Sequence, residues 1–262
     1  MSDRDQSRTP AFAIVIPMKD EAGNVEALLD GCVAAATPLG PFEIWVTDDG
    51  STDGTGEVLR GFQRAHPDVM FGIVTHARSA GQSAAVHSAV GRARAPLICT
   101  LDGDGQNPPD QIPRLLAPFE GGDAELGLVA GQRARRQDTL AKRWASRFAN
   151  RLRGWLLKDG TRDTGCGLKA FRREPFLALP YFDHMHRYLP ALFQRDGWRV
   201  AHVDVEHQER GAGRSKYTNF GRALVGVSDL MGVVWLIRRK KRVGPGDISV
   251  TEIRTETARA DP

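Results

Sequence analysis

The chain has 262 residues, with 36 Lys and Arg against 32 Asp and Glu and a formal net charge of +4. This length suffices for one α/β domain with a full core, and so small a charge excess argues against nucleic acid as a partner. The three cysteines are far apart and predict neither a disulfide framework nor a C-x-x-C metal site. Residues 1–10 are polar and lack the apolar segment of a signal peptide, so we expect a flexible N-terminus and a reducing, cytoplasmic environment.

Short apolar runs alternate with helically spaced segments in the first half of the chain. Each run has the composition of a buried strand. The pairs are 11–17 with 24–36, 42–47 with 55–65, 71–75 with 83–93, and 96–101 with 110–119. This alternation predicts a mostly parallel, doubly wound sheet flanked by helices. Because ligands bind at the carboxyl ends of such strands, the polar residues that follow them should meet in one crevice.

The pattern changes in the second half of the chain. We predict a fifth strand over 126–131 and a long Arg-rich helix over 139–157. A short element of undecided type follows over 168–171, then a helix over 184–195 and a last strand over 199–205. Residues 11–218 are therefore expected to form one domain, and the polar tail 243–262 is expected to be disordered.

An apolar segment over 220–237 needs separate treatment. Arg222 and Asp229 interrupt it, and each would cost roughly 2.5 to 3.5 kcal/mol near a bilayer centre. A helix in the interface avoids this cost, with Trp235 at headgroup depth and the basic cluster 238–242 on anionic lipid. We expect 219–242 to be an amphipathic, membrane-associated helix. Packing on the domain or at a dimer interface is the alternative.

The segment Asp102-Gly103-Asp104-Gly105-Gln106 follows an apolar strand. Its glycines allow close backbone approach, and its two carboxylates suit a hard cation. Mg²⁺ or Mn²⁺ is typically held by one or two carboxylates plus substrate phosphates. An ordinary Asp-Gly turn is the structural alternative. Other acidic residues also follow strands, so we favour a metal site that binds a nucleotide diphosphate.

Acidic residues also follow the first two strands. Asp48 and Asp49 begin a cluster in which Thr52 or Asp53 can cap the next helix, which leaves carboxylates for a ribose or base edge. The other cluster is the segment 17–21. Its structural alternative is an acidic helix start favoured by the helix dipole.

These segments together resemble the family 2 glycosyltransferases, which have the GT-A nucleotide-diphospho-sugar fold. The likeness spans about residues 11–237 and is closest to the dolichyl- and undecaprenyl-phosphate sugar synthases. Asp20 stands where the family usually has Asn. The matching segments are P-M-K-D-E, T-D-D-G-S-T-D, A-G-Q, D-G-D-G-Q, V-A-G-Q-R, D-T-G-C-G-L-K-A-F-R-R-E and E-R-G-A-G-R-S-K-Y.

The resemblance implies a role for individual residues. Nucleotide binding is implied for Pro17, Asp20, Glu21, Asp48, Asp49, Gln82 and Asp102. Metal binding is implied for Asp102, Asp104 and Gln106. Catalysis is implied for Asp104, Gln106, Arg210 and Lys216. Contact with an acceptor phosphate is implied for Arg133, Arg143, Ser146 and Arg147.

The expected reaction is an inverting transfer of a sugar from a nucleotide diphosphate to a polyprenyl phosphate. The two anions repel unless cations neutralise them. A phosphate acceptor has a second pKa of about 6 and is already ionised near neutrality, so we predict no general base. We expect a UDP-sugar donor rather than GDP-mannose, and a peripheral enzyme on the cytoplasmic face of the inner membrane. Self-association is left open.

Two alternatives remain for the function. One is transfer to a hydroxyl of a glycan or lipid, which would require a carboxylate base near the acceptor. The other is a non-catalytic membrane scaffold that binds nucleotide sugars.

Two further signals are discounted. His184 and His186 lack a nearby third ligand and would point to different sides of a helix, so we expect a structural or acceptor-channel role. Cys166 is expected to be a small buried residue near the acceptor loop.

Overall fold

A computed structural model of the chain describes residues 9–133, 153–163, 165–206 and 219–240. Seven strands in the described part form one sheet, in the order β3-β2-β1-β4-β6-β5-β7. The strands are β1 (Phe12–Met18), β2 (Phe42–Asp48), β3 (Met70–Thr75), β4 (Leu97–Thr100), β5 (Leu126–Arg133), β6 (Lys169–Arg172) and β7 (Arg199–Val205).

Helices flank this sheet on both faces. They are α1 (Val25–Ala36), α2 (Thr55–Ala65), α3 (Gln82–Arg92), α4 (Ile112–Glu120), α5 (Arg173–Leu177), α6 (Leu189–Arg195) and α7 (Asn219–Arg239). Residues 153–157 are also helical, and short 3₁₀ turns cover Thr37–Leu39, Pro109–Gln111 and Met185–Arg187.

The sheet is mostly parallel, which confirms the predicted fold class. Strands β1 to β4 are parallel to one another, and β5 is parallel to β7. Strand β6 is the exception, because it lies antiparallel between β4 and β5, with Lys169 opposite Thr100. The start of β6 therefore lies at the same sheet edge as the end of β4. This places residues 165–169 beside Asp102.

Two apolar layers cover the sheet. In β1, Ile14 and Ile16 face the layer that contains α1, α2 and α4, whereas Ala13 and Val15 face the layer that contains α3, α5 and α6. Successive side chains of a strand point to opposite faces, so a strand covered on both sides reads as one continuous apolar run. This explains why F-A-I-V-I-P has no polar alternation.

Helix α7 packs on the domain through one face. Val233 is buried, and Leu230 and Ile237 pack against the same layer as α6. The opposite face exposes Val227 (63%), Met231 (64%) and Trp235 (59%). No helix in the described ranges is long and apolar enough to cross a bilayer. One face of α7 therefore packs on the domain, which was the alternative expectation. Membrane contact through the opposite, exposed face stays a prediction.

The predicted helix over 184–195 differs from the structure. His184 has a left-handed backbone with φ of 63°, a 3₁₀ turn follows, and α6 begins only at Leu189. Pro190 lies in the first turn of α6, where proline is tolerated because its missing N–H has no helical partner. Of the predicted helix 139–157, residues 153–157 are helical and residues 139–152 lie outside the described residues, as do 1–8 and the tail 243–262.

Candidate active site

Asp102 lies directly after β4, where hydrogen bonds from two elements hold its carboxylate. Oδ1 accepts from Nε2 of Gln82 at 2.7 Å, and Oδ2 accepts from Nδ2 of Asn107 at 2.9 Å. Burial raises the pKa of Asp102 and the neighbouring Asp104 carboxylate raises it further, whereas Lys169 and the two amide donors lower it. The net shift is upward. A bound cation would relieve this crowding of negative charge.

Two glycines, Gly103 and Gly167, allow neighbouring parts of the chain to approach closely around Asp102. A Cβ on Gly103 would lie 2.7 Å from Cγ of Met18 and 2.8 Å from the carbonyl oxygen of Pro17. A Cβ on Gly167 would overlap the Asp102 carboxylate itself. Glycine is therefore required at both positions for steric reasons.

Asp104 and Gln106 share a tight turn. Oδ1 of Asp104 accepts from the backbone N–H of Gln106 at 3.1 Å, and Gly105 between them has φ of 72°. Within the described ranges, no group of three or more His, Cys, Asp or Glu residues could hold a metal ion. Two carboxylates still fit Mg²⁺ or Mn²⁺, because these ions usually take their remaining ligands from water and substrate phosphates.

A cleft of ≈ 270 Å³ opens beside Asp102. We call it the Asp102 cleft. It brings together three of the predicted residues, Pro17, Gln82 and Asp102. It also contains polar residues that the sequence did not single out as ligands, namely Thr100, Lys169, His186 and Arg187.

Lys169 is a buried cation, with 5% of its surface exposed. Its Nζ donates to the carbonyl oxygen of Cys166. Burial lowers the pKa of Lys169, and the negative charge of Asp102 and of Asp163 opposes that shift. Lys169 occurs in the family-like segment 163–174, but its burial depends on the antiparallel direction of β6, which periodicity does not reveal.

His186 lines the same cleft and contacts helix α3. Its Nδ1 lies 2.7 Å from Oγ of Ser83, and its backbone N–H donates to the same oxygen at 3.3 Å. Burial lowers the pKa of His186 well below 6.5, and the charges of Lys169 and Arg187 lower it further. His184, by contrast, contacts Asp229 of α7 at 3.1 Å. The two histidines therefore have different hydrogen-bond partners, although their rings lie edge to face with centroids 6.4 Å apart. No sequence signal links His186 to Ser83.

Asp49 is enclosed by the loop before α3. Oδ1 accepts from His76 Nδ1 at 2.7 Å and from the N–H of Ala80 at 2.8 Å, and Oδ2 accepts from Ser79 Oγ at 2.7 Å and from the N–H of Gly81 at 2.9 Å. Burial raises the pKa of Asp49, but these four hydrogen bonds outweigh it and the net shift is downward. Asp49 holds the loop that ends at Gln82, and its predicted nucleotide contact stays a prediction.

The other predicted nucleotide residues build the adjoining loops. Oδ1 of Asp48 accepts from the N–H of Ser51 at 2.9 Å. Asp20 has φ of 55°, a left-handed conformation that among non-glycine residues favours Asn and Asp. This explains why Asp can replace the usual Asn there. The Glu21 carboxylate accepts from Nδ2 of Asn24 at 2.6 Å.

Arg133 forms a two-pronged ion pair with Asp163. Its Nε and Nη2 lie 2.5 Å and 2.8 Å from the two carboxylate oxygens. The hydrogen bonds from Arg133 to Asp163 raise the pKa of the guanidinium. This pair orders the start of the loop that precedes β6, and the phosphate contact of Arg133 stays a prediction. Five predicted site residues lie outside the described residues, namely Arg143, Ser146, Arg147, Arg210 and Lys216.

The fold is that of GT-A glycosyltransferases. It is similar to a mannosyltransferase from Pyrobaculum calidifontis in complex with GDP-Man and Mn²⁺, with a TM-score of 0.64, 22% identity, and coverage of 91% of this chain and 67% of that one. It is also similar to glucosyl-3-phosphoglycerate synthase from Mycobacterium tuberculosis in complex with Mn²⁺, UDP and glucosyl-3-phosphoglycerate. That match has a TM-score of 0.62, 17% identity, and coverage of 87% and 80%.

The family follows from sequence. The model of glycosyl transferase family 2 matches residues 13–179. The chain belongs to this family. It is 35% identical over 207 residues to the undecaprenyl-phosphate 4-deoxy-4-formamido-L-arabinose transferase of Shewanella sediminis, covering 78% of this chain and 61% of that protein. The corresponding protein of Yersinia enterocolitica is 34% identical over 215 residues, with coverage of 82% and 64%. The chain thus spans less than two thirds of the length of these relatives.

Proposed function

We propose that the chain is a metal-dependent, inverting glycosyltransferase that moves a sugar from a nucleotide diphosphate to a polyprenyl phosphate. The observation that carries the proposal is the cleft whose lining contains the Asp102 carboxylate, held by Gln82, together with Lys169 and Arg187. The names of the family relatives, which specify undecaprenyl phosphate, support this acceptor class.

The residues around the cleft favour a phosphate acceptor over a hydroxyl. In the described part of the chain, Asp102 is the only carboxylate that lines it, and two side-chain amides already hold that carboxylate. A hydroxyl acceptor needs a base to take its proton during attack. An ionised phosphate oxygen attacks without one, and it benefits from nearby cations. In-line attack on the anomeric carbon would invert its configuration.

Asp102 and Asp104, with Gln106, would hold Mg²⁺ or Mn²⁺. When bound, such an ion neutralises charge on the leaving diphosphate. The chain itself positions the first carboxylate through Gln82 and Asn107. Fixed partners of this kind orient metal ligands and are important for metal affinity.

We also propose that the exposed face of α7 contacts the cytoplasmic surface of the inner membrane. Val227, Met231 and Trp235 recur at spacings of four residues and therefore form one stripe along the helix. Arg238 and Arg239 follow in its last turn. Apolar side chains beside Arg suit a surface of anionic lipid headgroups. This position would bring the active site close to a lipid-linked phosphate.

A transfer assay tests the proposal. The purified chain is incubated with undecaprenyl phosphate, Mn²⁺ or Mg²⁺, and a panel of UDP-sugars and GDP-mannose, and the lipid product is identified by mass. We expect glycosyl phospholipid from a UDP-sugar only when metal is present. Transfer to an alkyl glycoside but not to the lipid phosphate would favour the hydroxyl-acceptor alternative. Donor binding without turnover on either acceptor would favour the scaffold.

A further inference from the structure

The turn Met185–Arg187 contributes two side chains to the Asp102 cleft, of which the proposed function uses only the positive charge of Arg187. His186 and Arg187 both line it. His186 is fixed by Ser83, which is 1% exposed and lies in the first turn of α3. The contact joins residues that are 103 positions apart in sequence. It fixes the ring relative to Gln82 and therefore relative to Asp102.

The hydrogen bonds of Ser83 determine which nitrogen of His186 carries the proton. Oγ of Ser83 already accepts from the backbone N–H of His186. Among the hydrogen-bond partners of Ser83 in the described part of the chain, Nδ1 of His186, at 2.7 Å, is the one that can accept the hydroxyl hydrogen. A neutral imidazole has one donor and one acceptor nitrogen. Nδ1 is thus the acceptor, and Nε2 carries the hydrogen.

We infer that Nε2 of His186 faces the cleft, because His186 lines the cleft and Nε2 is not a buried atom without a partner. Among the described residues, the one buried side-chain nitrogen or oxygen without a partner is Nε of Arg153. Nε2 of His186 has no hydrogen bond within the described part of the chain, so it must border accessible space. Its N–H is available to a ligand.

Arg187 adds a second donor to this wall. Its side chain forms no ion pair or hydrogen bond within the described ranges, yet it lines the cleft. Lys169 contributes a buried cation on the same lining. Asp102 is the only carboxylate on this lining in the described part of the chain, and it already accepts hydrogen bonds from Gln82 and Asn107. A ligand that fills this space must supply acceptor oxygens of its own.

We propose that His186 and Arg187 are specificity-determining residues that bind a carbonyl or carboxylate oxygen on the transferred sugar. The inference rests on the proposed function, because it assumes that the donor places its sugar in the Asp102 cleft. A hydroxyl both donates and accepts, whereas amide carbonyls and carboxylates supply acceptor oxygens that match a wall of donors. The favoured donors are therefore N-acylated sugars or uronic acids. Phosphoryl oxygens of the donor diphosphate share this acceptor chemistry, and the test separates the two sources.

Two substitutions of His186 form a matched pair. His186→Asn keeps a polar group near Nδ1 for Ser83 but removes the donor at Nε2, whereas His186→Gln carries an amide donor near the Nε2 position. Arg187→Met removes the second donor. Each variant is checked for an unchanged thermal midpoint. Calorimetry with Mn²⁺ then measures binding of UDP, GDP, and nucleotide donors of a plain hexose, an N-acylated hexose and a uronic acid.

We expect wild-type protein to bind the N-acylated or uronic acid donor more tightly than the plain hexose donor. His186→Asn and Arg187→Met should each weaken that binding about 10- to 100-fold, as expected for a lost hydrogen bond to a buried or charged group. His186→Gln should restore most of the affinity for the preferred donor, and binding of UDP and GDP should not change.

An equal loss of affinity for the free nucleotides would identify phosphoryl oxygen as the ligand and overturn the inference. Equal wild-type affinity for all three sugar classes would overturn it as well. Binding is measured without an acceptor, so its outcome is independent of transfer. A wild-type chain that discriminates among donors but never glycosylates a lipid phosphate would refute the proposed function alone.

Discussion

Gln82, the first residue of α3, donates a hydrogen bond of 2.7 Å from Nε2 to Oδ1 of Asp102 at the end of β4. The loop that leads into α3 is itself held by Asp49, whose carboxylate accepts from the N–H groups of Ala80 and Gly81. The two acidic strand ends are therefore linked. Asp49 fixes the loop, the loop positions Gln82, and Gln82 orients the carboxylate that we propose as a metal ligand.

Replacing Gln82 with Ala should weaken metal use. The variant loses one of the two side-chain donors that orient Asp102, and loss of such a partner typically costs 10- to 100-fold in metal affinity or activity. We expect the Mn²⁺ concentration for half-maximal transfer to rise by about that factor. The control is Gln63→Ala at an exposed position of α2, where Nε2 donates to the carbonyl oxygen of Phe71. Equal metal dependence of the two variants would contradict the role of Gln82.

Replacing Gly167 with Ala should impair catalysis more than stability. The new methyl group would overlap the Asp102 carboxylate and force it to move. A displacement of about 1 Å in a catalytic group can cost 10²-fold in rate, so we expect kcat to fall about 100-fold. Gly61→Ala in α2 is the matched control, because its added methyl group meets nothing within 4 Å. Steady-state kinetics and thermal midpoints of both variants distinguish the outcomes; unchanged kcat in Gly167→Ala would refute the steric reasoning.

Asp49→Asn should lower stability in a pH-dependent manner. The pKa of Asp49 is lower in the folded chain than the unfolded value of about 3.9, so its stabilising effect is present above that pH and is lost as the pH falls through the folded pKa. We expect the variant to lose about 1.5 to 3 kcal/mol near pH 7, the range for hydrogen bonds to a charged group. The difference from wild type should shrink below about pH 4.

Denaturant unfolding at several pH values measures this difference. Asp68→Asn, at an exposed position, serves as the control for the change in net charge. A difference between wild type and Asp49→Asn that stays constant from neutral to acidic pH would show that the carboxylate charge is not what stabilises the loop.

Charged substitutions on the exposed face of α7 should weaken membrane binding. Each exposed apolar side chain that enters the interface contributes roughly 1.5 to 3 kcal/mol when fully buried. Met231→Glu and Trp235→Glu should therefore each reduce binding to vesicles of phosphatidylglycerol and phosphatidylethanolamine by about 10-fold or more. Gln63→Glu adds the same charge on α2 and should leave binding unchanged. Co-sedimentation that is equal for all three variants would contradict contact through α7.

The sequence predicted the parallel part of the fold closely. The first four strands are short apolar runs covered on both faces, and each precedes an amphipathic helix, so periodicity alone places them within about two residues. The acidic clusters at Asp48 and Asp102 could be assigned to one crevice because the carboxyl ends of parallel strands share an edge, whereas Gln82 was implied only by the family resemblance. The resemblance to family 2 glycosyltransferases is confirmed by the family match over residues 13–179.

The positions of Lys169 and His186 in the site could not be predicted. The first depends on the direction of a strand, and the second on a contact between distant parts of the chain. Strand β6 has only four residues, and no local pattern indicates that it runs antiparallel between β4 and β5, so Lys169 gave no sign of being buried beside Asp102. His186 was assigned to a helix together with His184. The backbone at His184 is instead left-handed, and a contact with Ser83, 103 residues away, holds His186.

The most direct test of the central claim is transfer to undecaprenyl phosphate by wild type and Asp104→Ala, with and without Mn²⁺. We predict metal-dependent release of nucleoside diphosphate and formation of glycosyl phospholipid by wild type. Asp104→Ala should lose turnover and keep its thermal midpoint, because Asp104 is partly exposed in a turn outside the core. Full activity of Asp104→Ala, or wild-type turnover that is unchanged by a chelator, would contradict the claim.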